Sequence, residues 1–174
     1  MKSICFFIFL IFICSCQQRN QKKINKSLNL SLPDFTANDI LSNLTYNRKS
    51  FVNNQSKGLY LHFWATWCGP CELEFPAFIK YAKKFENRNL HFVTMAVNDR
   101  PKAIKKFLRK FGKLPKNMII LMEPNELSLR FGTSKLPETF LLDRNGAYFA
   151  KFIGPQNWGS QYYTEQLENN FLKD

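Results

Sequence analysis

An apolar, aromatic-rich run ends on two closely spaced cysteines, and no other stretch constrains the fold as strongly. Residues 59–76 read Leu59-Tyr60-Leu61-His62-Phe63-Trp64-Ala65-Thr66-Trp67-Cys68-Gly69-Pro70-Cys71-Glu72-Leu73-Glu74-Phe75-Pro76. Leu59 to Trp64 is near-continuously apolar, as a strand buried on both faces is. From Cys71 the apolar spacing turns helical, through Leu73, Phe75, Phe78, Ile79, Ala82 and Phe85. Pro76 inside this pattern predicts a kink near the helix start. The cysteines therefore fall where a strand ends and a helix begins.

That position has chemical consequences. A thiolate, not a thiol, attacks a disulfide. Unpaired backbone N–H groups and the helix dipole favour negative charge at a helix start, which lowers a thiol pKa into a range of about 3.5–7.5. Cys68 is the expected attacking thiol, and Cys71 is close enough to resolve the resulting mixed disulfide. The reverse order oxidises a substrate. Gly69 and Pro70 set the turn, Gly by avoiding side-chain bulk and Pro by fixing φ near the helix start. Cys5, Cys14 and Cys16 cluster near the N-terminus, so the body has only this one pair and is not a disulfide-stapled scaffold.

The first residues read as an address. Lys2 precedes an apolar run from Ile4 to Ile13, then Cys14-Ser15-Cys16 and the polar stretch Gln17 to Lys23. The run is short for a bilayer span, which takes about 20 apolar residues. Ile13-Cys14-Ser15-Cys16 resembles a bacterial lipoprotein signal, implying a signal peptide over 1–15 and a lipid on Cys16. Residues 16–29 then form a lipidated, flexible tether, and 30–174 the folded domain. Export to the periplasm or the outer face of the cell membrane is the expected localisation, with an uncleaved anchor or an ordinary signal as the alternatives.

The body continues in order. Phe35 to Val52 suits a small hairpin. Leu90 to Val97 is the next strand, and Lys102 to Phe111 an amphipathic helix stopped by Gly112. Met118 to Met122 is a buried strand, and Glu126 to Phe131 a brief helix ended by Gly132. Glu138 to Asp143 and Ala147 to Ile153 flank a hairpin turn at Arg144-Asn145-Gly146, and Trp158 to Leu172 closes the chain as a helix. Alternating elements followed by a hairpin and a helix give an α/β sheet with helices on both faces.

Trp67-Cys68-Gly69-Pro70-Cys71 matches the active-site motif of thioredoxin-like proteins. With Phe63-Trp64-Ala65-Thr66 before it and Glu74-Phe75-Pro76 after it, the stretch resembles the exported, membrane-tethered TlpA/ResA-like branch. Leu32-Pro33-Asp34-Phe35 is similar to that branch's domain opening, and Leu136-Pro137-Glu138-Thr139-Phe140-Leu141-Leu142-Asp143 to its cis-proline strand. The resemblance implies a thioredoxin-like fold, a central mixed sheet with helices on both faces and an N-terminal hairpin extension. It implies a thiol–disulfide oxidoreductase of the protein-disulfide reductase type, with no cofactor. Pro137 would be cis and face the dithiol, and the backbone at Leu136 would pair an extended substrate. Glu74 would relay protons for Cys71, and Trp67 would cover Cys68 beside Gly69 and Pro70. The implied partners are a protein disulfide, an upstream membrane thiol–disulfide electron donor and the membrane through the lipid anchor, with cytochrome c maturation as one setting.

One residue departs from the pattern. Cytosolic thioredoxins usually carry Asp six residues before the first cysteine, and the exported branch often Asn; here it is His62. A hydrogen-bonded core histidine, a proton relay, or a copper ligand with Cys68 and Cys71 are the readings. The last would make the chain a metallochaperone, although a fourth ligand is not visible. A peroxiredoxin-like peroxidase is the other alternative, but its threonine-bearing motif is absent. The charge of +12, or +11 once Lys2 leaves with residues 1–15, comes with no nucleic-acid module. Lys102, Lys105, Lys106, Arg109 and Lys110 read as a solvated helix face or a surface for anionic lipid or an acidic partner.

Overall fold

A computed structural model describes residues 30–172. The expected signal, Cys16 and the tether lie outside the described residues. The compact unit that begins at Ser31 holds all the elements below. A hairpin of β1 (Thr36–Asn38) and β2 (Thr45–Asn47) leads into a one-turn helix, α1 (Arg48–Phe51). Then come β3 (Gly58–Trp64), α2 (Gly69–Lys84), β4 (Leu90–Ala96), α3 (Pro101–Leu108) and β5 (Met118–Met122). The chain finishes with α4 (Leu127–Arg130), β6 (Glu138–Asp143), β7 (Tyr148–Ile153) and α5 (Gln161–Leu167).

The five long strands form one mixed sheet in the order β5-β4-β3-β6-β7. Strands β3, β4 and β5 are parallel; β6 runs against β3, and β7 runs against β6 and so in the direction of β3 again. The central strand β3 is buried along its whole length, which is why its sequence is apolar on both faces. Tyr60, His62 and Trp64 share a face with Phe92, Ile120 and Leu141. That face receives α2, α3 and the approach to α5, through Phe75 and Phe107 on Trp64, Phe78 on Phe92, and Trp158 on Tyr60. The opposite face packs Phe131 against Phe63 and Phe51 against His91. Helices thus cover both faces, as the element order requires.

Edge strand β5 is not left open. The hairpin reaches it where Ile40 N–H donates to the Ile120 carbonyl at 2.8 Å and Ile120 N–H donates to Asp39 Oδ2 at 2.9 Å. The turn before β7 needs its glycine. Gly146 has φ of 78°, and a Cβ there would lie 2.9 Å from Val52 Cγ2.

The last helix starts later than the sequence pattern suggests. Ser160 caps it, accepting the Tyr162 N–H at 3.3 Å, and Trp158 before it turns into the core. Beyond Leu167 the helix widens into a π turn over Glu168–Leu172. Helix α2 runs through Pro76 to Lys84, with Pro76 lacking only the N–H that would bond back to Glu72.

The core beside β3 predicts a steep local dependence of stability on aromatic packing. Phe92 is fully buried and touches Tyr60, Phe78 and Tyr81. Phe92→Ala is expected to lose about 3–5 kcal/mol in urea unfolding of the oxidised protein. Leu44→Ala, at a position 60% exposed, is expected to stay within about 0.5 kcal/mol. Equal losses would contradict this placement of the core.

Candidate active site

The site is built where β3 hands the chain to α2. Thr66 is held just beyond the strand, its N–H donating to Asp99 Oδ2 at 2.6 Å and its hydroxyl to Asp99 Oδ1 at 3.0 Å. Cys68 then caps α2 in an extended conformation, with Pro70 in the first turn. Its Sγ accepts the Cys71 N–H at 3.3 Å, so the sulfur occupies the place a capping oxygen usually takes. The two cysteines form a disulfide, with Cα atoms 5.3 Å apart. Cys68 is 7% exposed and Cys71 fully buried, so only the first sulfur meets a partner from outside.

A groove of about 540 Å³ opens over Cys68. Trp67, Gly69, Pro70 and Leu136 line it with Cys68. Trp67 is 63% exposed and tethered by its indole N–H to the Asn98 carbonyl at 3.1 Å, so it is a surface residue, not core. Leu129, 64% exposed, adds a second apolar wall that the sequence pattern did not single out. The Leu136–Pro137 peptide is cis. Pro137 itself is buried and lies outside the groove lining, so Leu136 is the member of that pair that reaches it. A Cβ built on Gly69 would meet nothing within 4 Å. The fold therefore tolerates bulk there, and what Gly69 keeps clear is the groove.

Beneath the dithiol lies a buried polar cluster. Glu74, one turn along α2 from Cys71, is 5% exposed. Burial raises its pKa to about 7, against the Gln156 N–H that donates to Oε2 at 2.6 Å. The Trp158 indole also favours the charged form, although its N–H makes no formed hydrogen bond. Glu74 Oε1 lies 3.6 Å from His62 Nε2. His62 is fully buried, stacked on Phe78 at 4.5 Å, with Nδ1 2.9 Å from Thr139 Oγ1. Burial lowers its pKa to about 3, so the ring is neutral.

His62 is thus a core histidine with a hydrogen-bond partner, its ring turned to Thr139 and Glu74. Among the described residues no group of three or more His, Cys, Asp or Glu is placed to hold an ion. The trio of Cys68, Cys71 and His62 is not brought together as a metal site. On the basic helix face Lys110 pairs with Glu72 and the other four side chains are exposed. Asp99, Gln156 and Thr139 carry no local sequence signal. Thr139 lies on β6 and Asp99 and Gln156 lie in loops, each distant in the chain from the cysteines, and no local pattern links them.

Comparison with known proteins agrees with this geometry. The family model described as Redoxin matches residues 28–167. The thiol–disulfide oxidoreductase ResA of Bacillus thuringiensis (strain Al Hakam) is 27% identical over 137 residues, covering 78% of this chain and 74% of the relative. Among solved structures, a DsbE-type thiol:disulfide interchange protein from Chlorobium tepidum superposes with a TM-score of 0.68 at 23% identity, over 81% of this chain and 95% of that one. StoA from Bacillus subtilis gives a TM-score of 0.61 at 22% identity, over 82% and 98%. The two structures speak for the fold.

The raised pKa of Glu74 has a consequence for stability. The folded chain keeps this proton up to about pH 7, whereas an unfolded glutamate releases it near 4.5. The gain is full below about pH 4.5 and is lost as pH rises through about 7. His62 acts the other way, its contribution fading as pH falls from 6.5 toward about 3. It cancels when the native chain is compared with Glu74→Gln at the same pH. The stability of Glu74→Gln relative to the native chain is therefore expected to rise by on the order of 3 kcal/mol between about pH 4.5 and 8. Urea unfolding of both oxidised proteins reads this, and a difference that stays flat would contradict the assignment.

Proposed function

The chain belongs to the Redoxin family and is a thiol–disulfide oxidoreductase of the ResA-like kind, and from that premise we propose that it reduces protein disulfides outside the cytoplasm. The carrying observation is the asymmetry of the dithiol. Cys68 caps a helix at the floor of an open groove, and Cys71 is buried behind it. Cys68 as thiolate attacks one sulfur of the substrate, and the other sulfur leaves as a thiolate and takes up a proton. Cys71 gives its proton to Glu74, attacks the Cys68 sulfur of the mixed disulfide, and releases the second substrate sulfur. Two electrons have then passed to the substrate, and the enzyme holds the Cys68–Cys71 disulfide.

Trp67 and Leu129 offer apolar contacts on either side of Cys68, and the backbone at Leu136 offers pairing to an extended peptide. Return to the dithiol takes two electrons from an upstream membrane dithiol, since exported dithiols otherwise drift toward the oxidised form. The address at residues 1–16, with lipid on Cys16, would hold the domain at the periplasm or outer face of the membrane. Apocytochrome c in cytochrome c maturation is the client class that the resemblance suggests.

Cys68→Ser is expected to reduce insulin-disulfide reduction to background. Cys71→Ser is expected to retain attack and accumulate a one-to-one mixed disulfide, seen by mass spectrometry without reductant. Reduction that persists in Cys68→Ser would overturn the mechanism.

A further inference from the structure

His62 Nε2 is a fully buried nitrogen with no hydrogen-bond partner. A buried polar atom left unsatisfied is costly. Glu74 Oε1 lies 3.6 Å away, a gap that a small rotation of the carboxyl closes. The other carboxyl oxygen, Oε2, already accepts the Gln156 N–H. When Glu74 is protonated, the proton therefore belongs on Oε1, and a buried O–H needs an acceptor. Trp158 Nε1 can only donate. Nε2 of a neutral imidazole supplies the missing lone pair, provided the ring proton sits on Nδ1 and is given to Thr139 Oγ1.

Taking Glu74 as the proton acceptor for Cys71, we propose that His62 is its tuning partner, presenting a lone pair from Nε2 while Nδ1–H is donated to Thr139. The arrangement favours the protonated carboxyl twice. It gives the O–H an acceptor, and it sets a lone pair against the carboxylate when the proton is lost. Glu74 is thereby a stronger base toward the Cys71 thiol. The proton leaves Cys71 sulfur, lodges on Glu74 Oε1 and is held by His62. When a donor dithiol later reopens the disulfide, the same proton returns to Cys71 sulfur. No net charge is created on the imidazole at either stage.

The other groups facing the pair are few. Cys71 stands one turn back on α2. Tyr163 approaches from α5, donating its hydroxyl to Gln156 Oε1 at 2.6 Å, and feels the Glu74 charge. Lys151 and Glu138 pair at 3.0 Å on strands β7 and β6, and Glu138 stands beside Thr139 on the opposite face of the sheet. They do not reach the cluster.

The test begins with the native protein. Its two histidines are resolved by nitrogen-15 NMR of the ring nitrogens, with His91→Gln fixing the assignment. His62 is expected as the Nδ1–H tautomer, with its Nε2 signal shifting as Glu74 titrates. An Nε2–H tautomer, or a ring that ignores that titration, overturns the proposal. The second arm is the pH profile of mixed-disulfide resolution by Cys71. His62→Gln, which can turn an N–H toward Oε1, is expected to move the midpoint down by about one pH unit. In a Glu74→Gln background the same change is expected to move nothing. An unmoved midpoint in a folded His62→Gln protein also overturns the proposal. The NMR result stands whether or not insulin is reduced, so failure of the pair is distinguishable from failure of the dithiol reading.

Discussion

The backbone N–H of Cys71 points at the sulfur of Cys68, and the rest of the molecule serves to keep it there. A helix start exposes N–H groups with no partner inside the helix, and here one of them is satisfied by sulfur. The same contact that caps α2 would favour negative charge on Cys68 Sγ, the atom proposed to attack. It depends on β3 ending at a fixed point, which the pairing of its residues with β4 on one side and β6 on the other enforces. A shift of one residue would turn the apolar faces over and carry the cysteines away from the groove. Asp99 secures the remaining freedom by holding Thr66 through two hydrogen bonds.

Behind the sulfur pair the sheet and α2 enclose a dry, aromatic interior that nonetheless contains an acid and an imidazole. Dryness gives both their altered behaviour, because burial disfavours the charged form of each. The outcome is a carboxyl with its pKa raised to about 7, one helix turn from Cys71, the cysteine proposed to resolve the mixed disulfide. Water-filled surroundings would leave the same residue ionised and a weak base. The aromatic packing of Phe75, Phe78 and Trp158 thus builds the core and, in the proposed mechanism, sets the surroundings of the acid.

Much of this was written in the chain. A strand buried on both faces announces itself as an unbroken apolar run, so β3 and Met118–Met122 were legible at their ends. Glycines past the last apolar position marked the stops at Gly112 and Gly132, where φ is 67°. The dithiol, the groove residues Trp67 and Leu136, and the cis bond at Pro137 followed from motif and resemblance. The late start of α5 did not, because Trp158 sits at helical spacing yet belongs to the core ahead of the cap at Ser160. The polar cluster did not either. His62 and Thr139 are 77 residues apart and Gln156 and Glu74 82 apart, joined only by the folded sheet and loops. His62 stood out only as a departure from a pattern, and its partners gave it meaning.

The central claim is that the helix start makes Cys68 the reactive thiolate. Thiolate absorbance of the reduced protein, followed against pH in the native chain and in Cys71→Ser, tests it directly. The account predicts that Cys68 ionises first, with a pKa below about 7.5. A Cys68 titration near the free-thiol value of about 8.5, or Cys71 ionising ahead of it, would contradict the account.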